Sequence, residues 1–278
     1  MPHRILITGA QGMLGSDLLP ECERVFGADN VIGFGRGELD ITSFQSVSRM
    51  FADVKPTIVV NSAAYTNVDG AEVDRDAAHE INCVGPENLA KVAAALGARL
   101  IHFSTDQVFD GERKRPWLET DEPNPLNQYA TTKLAGERAV LAAGPHVILR
   151  VQWLYGEKKE RFSQLRSKEL FTPFADQVGA PTWTRDIARV VPKLIQSEGL
   201  FHFAYDDAAS WADVFAFVKE EWKLKVRLEP KQTKDVPLPA RRPLYCVMSN
   251  QKLKRELNLD QLGSWKDSLR EFLALIKN

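Results

Sequence analysis

Short apolar runs rich in β-branched residues alternate with longer helical patterns through the first half of the chain. That alternation constrains the fold more than any single motif. The runs are Arg4-Ile5-Leu6-Ile7-Thr8, Val31-Ile32-Gly33-Phe34, Thr57-Ile58-Val59-Val60-Asn61, Leu100-Ile101-His102-Phe103-Ser104 and His146-Val147-Ile148-Leu149-Arg150-Val151. None has the period-two polarity of a half-solvated sheet, so each is expected to be a strand buried on both faces. Helical patterns fill the gaps. One runs from about Met13 to Phe26, with Pro20 expected to bend or shorten it, and one follows an N-cap at Thr42 as far as Val54. A single long helix is expected from Asp76 to Gly97, and another from Gln128 to Ala143. The pattern predicts an α/β fold, a doubly wound parallel sheet of Rossmann type.

After Gly156 the pattern loosens into a short helix near Phe162 to Ser167, a helix from Thr184 to Gln196 and a strand around Leu200 to Ala204. A helix capped by Ser210 runs to Trp222, a proline-rich loop fills 229–242, and a last helix spans Ser264 to Ile276. Residues 1–155 are therefore expected to form the Rossmann domain. Residues 156–278 form a smaller α/β region for substrate, some of whose helices pack back on the first.

Composition narrows the function. Apolar residues make up 44% and charged residues 26%, as in a globular protein with a full core. A net charge of −1 gives no pull toward nucleic acid or a membrane surface, so neither is expected as a partner. Cys22, Cys83 and Cys246 lie far apart, which makes neither a disulfide framework nor a metal cluster and suits a reducing cytoplasm. No histidine is spaced from another as metal ligands are, and no metal is expected. His102 and His202 fall inside apolar runs, where histidine is usually a hydrogen-bonded strand residue. The opening MPHRILITGA reads as a strand start rather than a secretion signal, and no apolar stretch is long enough to span a bilayer. A cytoplasmic location follows as the expectation.

The motifs fall where strands end. Gly9-Ala10-Gln11-Gly12-Met13-Leu14-Gly15 follows the first strand and opens the first helix, a G-x-x-G-x-x-G turn. Glycines there permit a tight turn and let backbone amides approach a pyrophosphate at the helix N-terminus, with Gln11, Met13 and Leu14 in the same turn as cofactor contacts. After the second strand stands Arg36, where an acid would favour an unphosphorylated ribose. A guanidinium suits a 2′-phosphate, so NADPH is the expected cofactor and NADH the alternative; a solvated loop arginine is the plain reading. Asp40 and Ile41 are placed to meet the adenine edge, and Asn61-Ser62-Ala63-Ala64 ends the third strand with small residues that leave room for the cofactor.

Tyr129 and Lys133 lie one helical turn apart and project from the same face, which by itself is a common surface pairing. An ammonium beside the phenol is expected to lower its pKa by roughly two to three pH units. Thr105, at the end of the fourth strand, gives the pair its weight: its hydroxyl can bond a substrate carbonyl beside the phenol.

These features resemble an extended short-chain dehydrogenase/reductase. Ala64-Tyr65-Thr66-Asn67-Val68-Asp69-Gly70-Ala71-Glu72, Ser104-Thr105-Asp106-Gln107-Val108-Phe109-Asp110-Gly111 and Asp176-Gln177-Val178-Gly179-Ala180-Pro181-Thr182 resemble the dTDP-4-dehydrorhamnose reductase family in particular. Arg242-Pro243 before a Ser-x-x-Lys-Leu run is a weaker fourth match. The resemblance covers nearly the whole chain and implies reduction of the 4-keto group of a nucleotide-linked 6-deoxy sugar by NADPH. Thr105, Tyr129 and Lys133 would be its catalytic set. It also implies cofactor contacts from Ala63, Ala64 and Tyr65, and substrate contacts from Thr66, Val68, Asp106 and Gln107. The chain departs from the family pattern at Gln107, where a tyrosine is usual, and at Tyr245-Cys246, where an Asn-Ser type pair is usual. The stretch between Tyr155 and Asp176 is also shorter.

Between Lys219 and Arg255 there are 11 Lys or Arg against 4 Asp or Glu, an excess that suits a nucleotide-sugar diphosphate as well as a solvated surface. Arg242, fixed by Pro243, is the candidate diphosphate contact, and Trp153 either walls the sugar pocket or belongs to the core. A homodimer is compatible with the sequence. Two other functions fit the scaffold: a nucleotide-sugar epimerase or dehydratase, and a non-catalytic NADP-binding subunit that regulates a partner.

Overall fold

The structure is a computed structural model and describes residues 3–277. Six strands form one parallel sheet: β1 (Ile5–Thr8), β2 (Val31–Phe34), β3 (Ile58–Asn61), β4 (Arg99–Thr105), β5 (Val147–Val151) and, after four two-residue strands, β10 (Gly199–His202). Their order is β10-β5-β4-β3-β1-β2. The two-residue strands are β6 (Leu154–Tyr155), β7 (Leu170–Phe171), β8 (Val178–Gly179) and β9 (Thr182–Trp183). With β11 (Ala209–Ser210) and β12 (Arg227–Leu228) they make small ladders beyond the main sheet. The sixth strand of the main sheet thus comes from beyond residue 156 and pairs with β5 from Gly199↔Val147 to His202↔Arg150.

Cover on both faces explains the uninterrupted apolar runs of β1, β3, β4 and β5, whereas the edge strand β2 is not buried as expected, with Ile32 exposed and Gly33 and Phe34 half-buried. Ile5, Ile7, Val60, Ile101 and Leu149 join one buried cluster, while their neighbours Leu6, Val59, Leu100 and Ile148 join another. Helices α1 (Gly15–Phe26) and α6 (Thr184–Val190) pack together on the first side. On the second side lie α2 (Phe44–Val54), α4 (Gly85–Ala95), preceded by the short α3 (Arg75–His79), and α5 (Gln128–Ala143). The C-terminal part adds α7 (Trp211–Glu221), whose Ser210 cap forms a reciprocal box with Asp213, then α8 (Gln251–Leu257) and α9 (Trp265–Leu275).

Several expectations are corrected. Helix α1 ends at Phe26 as expected and is not shortened at Pro20, but it starts at Gly15, two residues later than the pattern suggested. The cap of α2 is Ser43, whose side chain accepts from the Ser46 amide, because the Thr42 hydroxyl is already bonded to Asp40. The single helix expected from Asp76 to Gly97 is broken by a π-helical turn at Glu80–Val84 between α3 and α4. That turn packs closely on α5, where a Cβ on Gly136 would overlap the carbonyl oxygen of Asn82. The helix expected to reach Gln196 turns into a 3₁₀ segment at Val191–Leu194, where Pro192 withholds an amide.

Candidate active site

Strand order reverses between β1 and β3, and in open parallel sheets ligands bind in the crevice such a reversal opens at the strands' carboxyl ends. The glycine turn follows β1 and the Ser62–Tyr65 segment follows β3, so both face that crevice. Gly9 has φ 66°, and a Cβ there would lie 2.7 Å from the Ala63 amide nitrogen. A Cβ on Gly15 would overlap the Gly9 carbonyl oxygen and lie 2.7 Å from Ala10 Cα. These two glycines are fixed by backbone packing, which leaves Gly12 exposed at the tip. Leu14 offers α1 no side-chain cap, and the amides of Gln11, Met13 and Leu14 make no hydrogen bond among the described residues. Three outward donors at an uncapped helix N-terminus fit a pyrophosphate.

Arg36 is exposed on the turn after β2 and makes no ion pair among the described residues. Glu38, two residues on, closes that turn by accepting from the Gly35 amide at 2.7 Å. Asp40 is occupied with the Thr42 amide and hydroxyl at 3.0 and 2.7 Å, while Ile41 is buried and its carbonyl accepts from Asn88. Ala63, Ala64 and Tyr65 line the far side, half-exposed; the Tyr65 phenol turns away to Asp74 at 3.1 Å. Thr66 is exposed and Val68 half-buried on the loop beyond.

The proton-handling group gathers at the end of β4. Asn127 caps α5 by accepting from the Ala130 amide at 2.8 Å, and the Gln128 amide donates to Glu72, so the helix that carries Tyr129 and Lys133 is anchored at its start. Lys133 is buried and donates to the Phe103 carbonyl at 2.6 Å, with His102 Nε2 at 3.3 Å. Its pKa is pushed down to about 8 by burial, against the opposing pull of Glu137 one turn along. The Thr105 hydroxyl donates to Asp106 at 3.0 Å and accepts from the Gln107 amide at 3.2 Å. Burial drives the Asp106 carboxyl up to about 7.

The expected depression of the Tyr129 pKa is not found. Burial raises it to about 12, the neighbouring Thr105 hydroxyl opposes this, and Asp106 adds to it. The lysine nitrogen expected to act on the phenol instead donates to Phe103 O and lies against His102 Nε2. A phenol held up at about 12 keeps its proton at neutral pH, which suits a proton donor.

Gln107 is half-buried, and its carbonyl oxygen accepts from Asn127 Nδ2 at 3.0 Å; the same Nδ2 donates to the Arg241 carbonyl at 2.8 Å. This ties the strand end to the loop before Arg242. Arg242 is itself paired with Asp69 at 2.8 Å and bonded to the Ala240 carbonyl. Trp153 has φ 45°, stacks on Trp211 at 4.1 Å, and is accommodated because a Cβ on Gly179 would come within 2.9 Å of its ring. It is half-buried and packs against the core cluster. Cys246 lies buried beside Asp106, and its thiol is pushed well up by burial.

Sequence reasoning missed three sets of polar contacts, because their partners are not neighbours in the chain. Asn82 bonds the Tyr65 backbone in both directions and donates to the Thr132 hydroxyl at 3.1 Å, clamping the β3 loop to α5. His102 and Asn61 form a chain ending at Lys133. Glu137 meets Arg150 in a buried two-point pair at 2.9 and 2.7 Å. Among the described residues no three His, Cys, Asp or Glu converge as a metal site, and no helix is long and apolar enough to cross a membrane.

A dinucleotide turn at the sheet's reversal, facing a Tyr-x-x-x-Lys helix across the end of β4, defines the extended short-chain dehydrogenase/reductase class. The chain belongs to the family described as the RmlD substrate binding domain, which it matches over residues 3–278. It is 36% identical to dTDP-4-dehydrorhamnose reductase of Mycolicibacterium smegmatis, over 99% of this chain and 86% of that one. It is 38% identical to a dTDP-4-dehydrorhamnose reductase of Clostridium acetobutylicum, with a TM-score of 0.94 covering 99% of this chain and all of that one. The Bacillus anthracis enzyme of the same name, solved with NADP, is 32% identical with a TM-score of 0.93, covering 99% of this chain and 100% of that one.

Proposed function

We propose that this chain is an NADPH-dependent reductase of a nucleotide-activated 6-deoxy-4-keto sugar, with dTDP-4-dehydro-L-rhamnose as substrate and dTDP-L-rhamnose as product. The observation that carries the reading is the joining of Thr105, a protonated Tyr129 and the buried Lys133 beside the dinucleotide crevice. The free amides of Gln11, Met13 and Leu14 would hold the pyrophosphate, and Arg36 the 2′-phosphate. Bound NADPH supplies the hydride. Tyr129 donates its proton to the carbonyl oxygen as negative charge develops there, and the Thr105 hydroxyl steadies the same oxygen. Lys133, held by the Phe103 carbonyl one turn along α5 from Tyr129, would hold the nicotinamide ribose. Asp106, Gln107, Trp153 and Arg242 surround the sugar and diphosphate side, joined by Thr66 and Val68 from the β3 loop.

The test is NADPH oxidation with dTDP-6-deoxy-L-lyxo-4-hexulose generated in situ. Tyr129→Phe is expected to lower turnover by about 10²–10⁴-fold while NADPH affinity stays within twofold or so. Near-parental turnover in that variant would remove Tyr129 from its role. No oxidation by the parent, with NADPH still bound, would point to another sugar.

A further inference from the structure

Hydrogen-bond polarity along the chain Ala63, Asn61, His102, Lys133 is fixed from one end. Asn61 is fully buried at the end of β3, and its Oδ1 lies 3.1 Å from the Ala63 amide, which can only donate. Thr8 Oγ1 meets the same Oδ1 at 2.6 Å. The Asn61 oxygen is therefore committed to that side, and its Nδ2, a donor only, faces His102 Nδ1 at 2.9 Å. His102 Nδ1 must accept. A neutral imidazole then carries its hydrogen on Nε2, and Nε2 lies 3.3 Å from Lys133 Nζ.

Two donors cannot share one hydrogen bond. Facing Nε2–H, a lysine ammonium gains nothing, whereas a neutral amine accepts with its lone pair. We propose that His102, held in one tautomer by Asn61, is a positioning residue that favours the neutral amine of Lys133 and directs the ammonium's hydrogens toward the Phe103 carbonyl and the crevice. The inference rests on reading Lys133 as part of the catalytic group. His102 is fully buried, and burial with the lysine charge lowers its own pKa well below the ordinary value, so the imidazole stays neutral. The other ionisable groups around Lys133 are Glu137, one turn along α5 and paired to Arg150 of β5, Tyr129, one turn back, and Asp106 beyond β4. Glu137 pulls the lysine pKa up, so His102 opposes it across the same ammonium.

The experiment reads both groups by NMR. In the unaltered protein, long-range proton–nitrogen correlations of histidine-labelled material should show His102 as the Nε2–H tautomer across pH 6–9; the Nδ1–H form would overturn the inference outright. In lysine-labelled protein, with the Lys133 resonance assigned by its loss in Lys133→Met, the titration midpoint should rise by roughly one pH unit in His102→Leu. The sign is discriminating. Were His102 only filler, a more apolar neighbour would leave the midpoint unchanged or lower it, and either result refutes the proposal. Asn61→Asp supplies a second variant, because a carboxylate facing Nδ1 should turn His102 to the Nδ1–H tautomer in the same correlations, and a ring that stays Nε2–H there would refute the hold of residue 61 on it. None of these readouts needs sugar reduction, so a failed NADPH assay would sink the proposed reaction and leave this inference standing.

Discussion

Glu137 and Arg150 make the sharpest stability prediction. Their side chains are 2% and 3% exposed, and the guanidinium bonds both carboxylate oxygens, Nε to Oε1 at 2.9 Å and Nη2 to Oε2 at 2.7 Å. Removing one partner of such a pair strands a charge in the interior, at a cost of about 3–5 kcal/mol. Glu137→Met should sit near the lower end, because Arg150 keeps His202 Nε2 at 3.3 Å and the face of Phe109 at 4.9 Å. Arg150→Met should sit near the upper end, since Glu137 has no other hydrogen-bond donor among the described residues. Replacing both by Met removes two desolvation penalties together, and the double variant should return to within about 2 kcal/mol of the parent. Urea unfolding followed by tryptophan fluorescence at pH 7 measures all four proteins. A double-mutant cycle should give a coupling energy of at least about 2 kcal/mol. Additive losses, with no coupling, would refute the claim that each group exists to neutralise the other.

Three further outcomes follow from the same geometry. Gly15→Ala should weaken NADPH binding at least tenfold or so in a fluorescence titration, because its Cβ must displace the Gly9–Ala10 backbone, whereas Gly37→Ala, with nothing within 4 Å, should be silent. Equal behaviour of the two would show that backbone crowding does not set the turn. Arg36→Ala should raise the KM for NADPH by about 10–100-fold, the worth of charged hydrogen bonds at about 1.5–3 kcal/mol, and leave NADH unchanged; parallel losses for both cofactors would move the 2′-phosphate elsewhere. Asp106, raised to about 7 from an ordinary 3.8, retains its proton when folded over a range where the unfolded chain has lost it. Its contribution to stability is therefore full below about pH 4 and is lost as pH rises through 7, by up to roughly 4 kcal/mol. Asp106→Asn should flatten that part of the stability–pH curve, and an unchanged slope would locate the titration in another group.

How far the sequence could be read depended on the range of each interaction. The bounds of α5, Gln128 and Ala143, were visible because an Asn cap and a regular pattern are local signals. The same holds for Ser210 before α7. The π turn at Glu80–Val84 was invisible, and the residue packed against it, Gly136, lies some fifty residues later. At the site, Thr105, Tyr129 and Lys133 were legible as types at a spacing, each on the end of a strand or the start of a helix. The direction of the Tyr129 pKa was not, because it depends on where the Lys133 ammonium points, and that is set by Phe103 O and His102. His102 was correctly read as a hydrogen-bonded strand residue, but its partner Asn61 lies 41 positions away and nothing local named it.

The site therefore has two layers with different origins. The outer layer, exposed Gly12 and Arg36, half-buried Tyr129 and the buried Thr105 beside it, is the set proposed to touch cofactor and substrate. The inner layer, Asn61, Asn82, His102, Glu137 and Arg150, is buried, and each of its polar groups is paired along the sheet or across α5. Lys133 is the residue shared by both. It sits under opposed influences, Glu137 favouring its charge and burial disfavouring it, and the balance leaves it near pH 8 rather than at an ordinary lysine's 10.5. Substitutions in the inner layer should therefore move the pH dependence of the reaction before they move substrate affinity, whereas those at Thr66, Gln107 or Arg242 should do the reverse. That division is what a pH profile of kcat/KM across both sets would read.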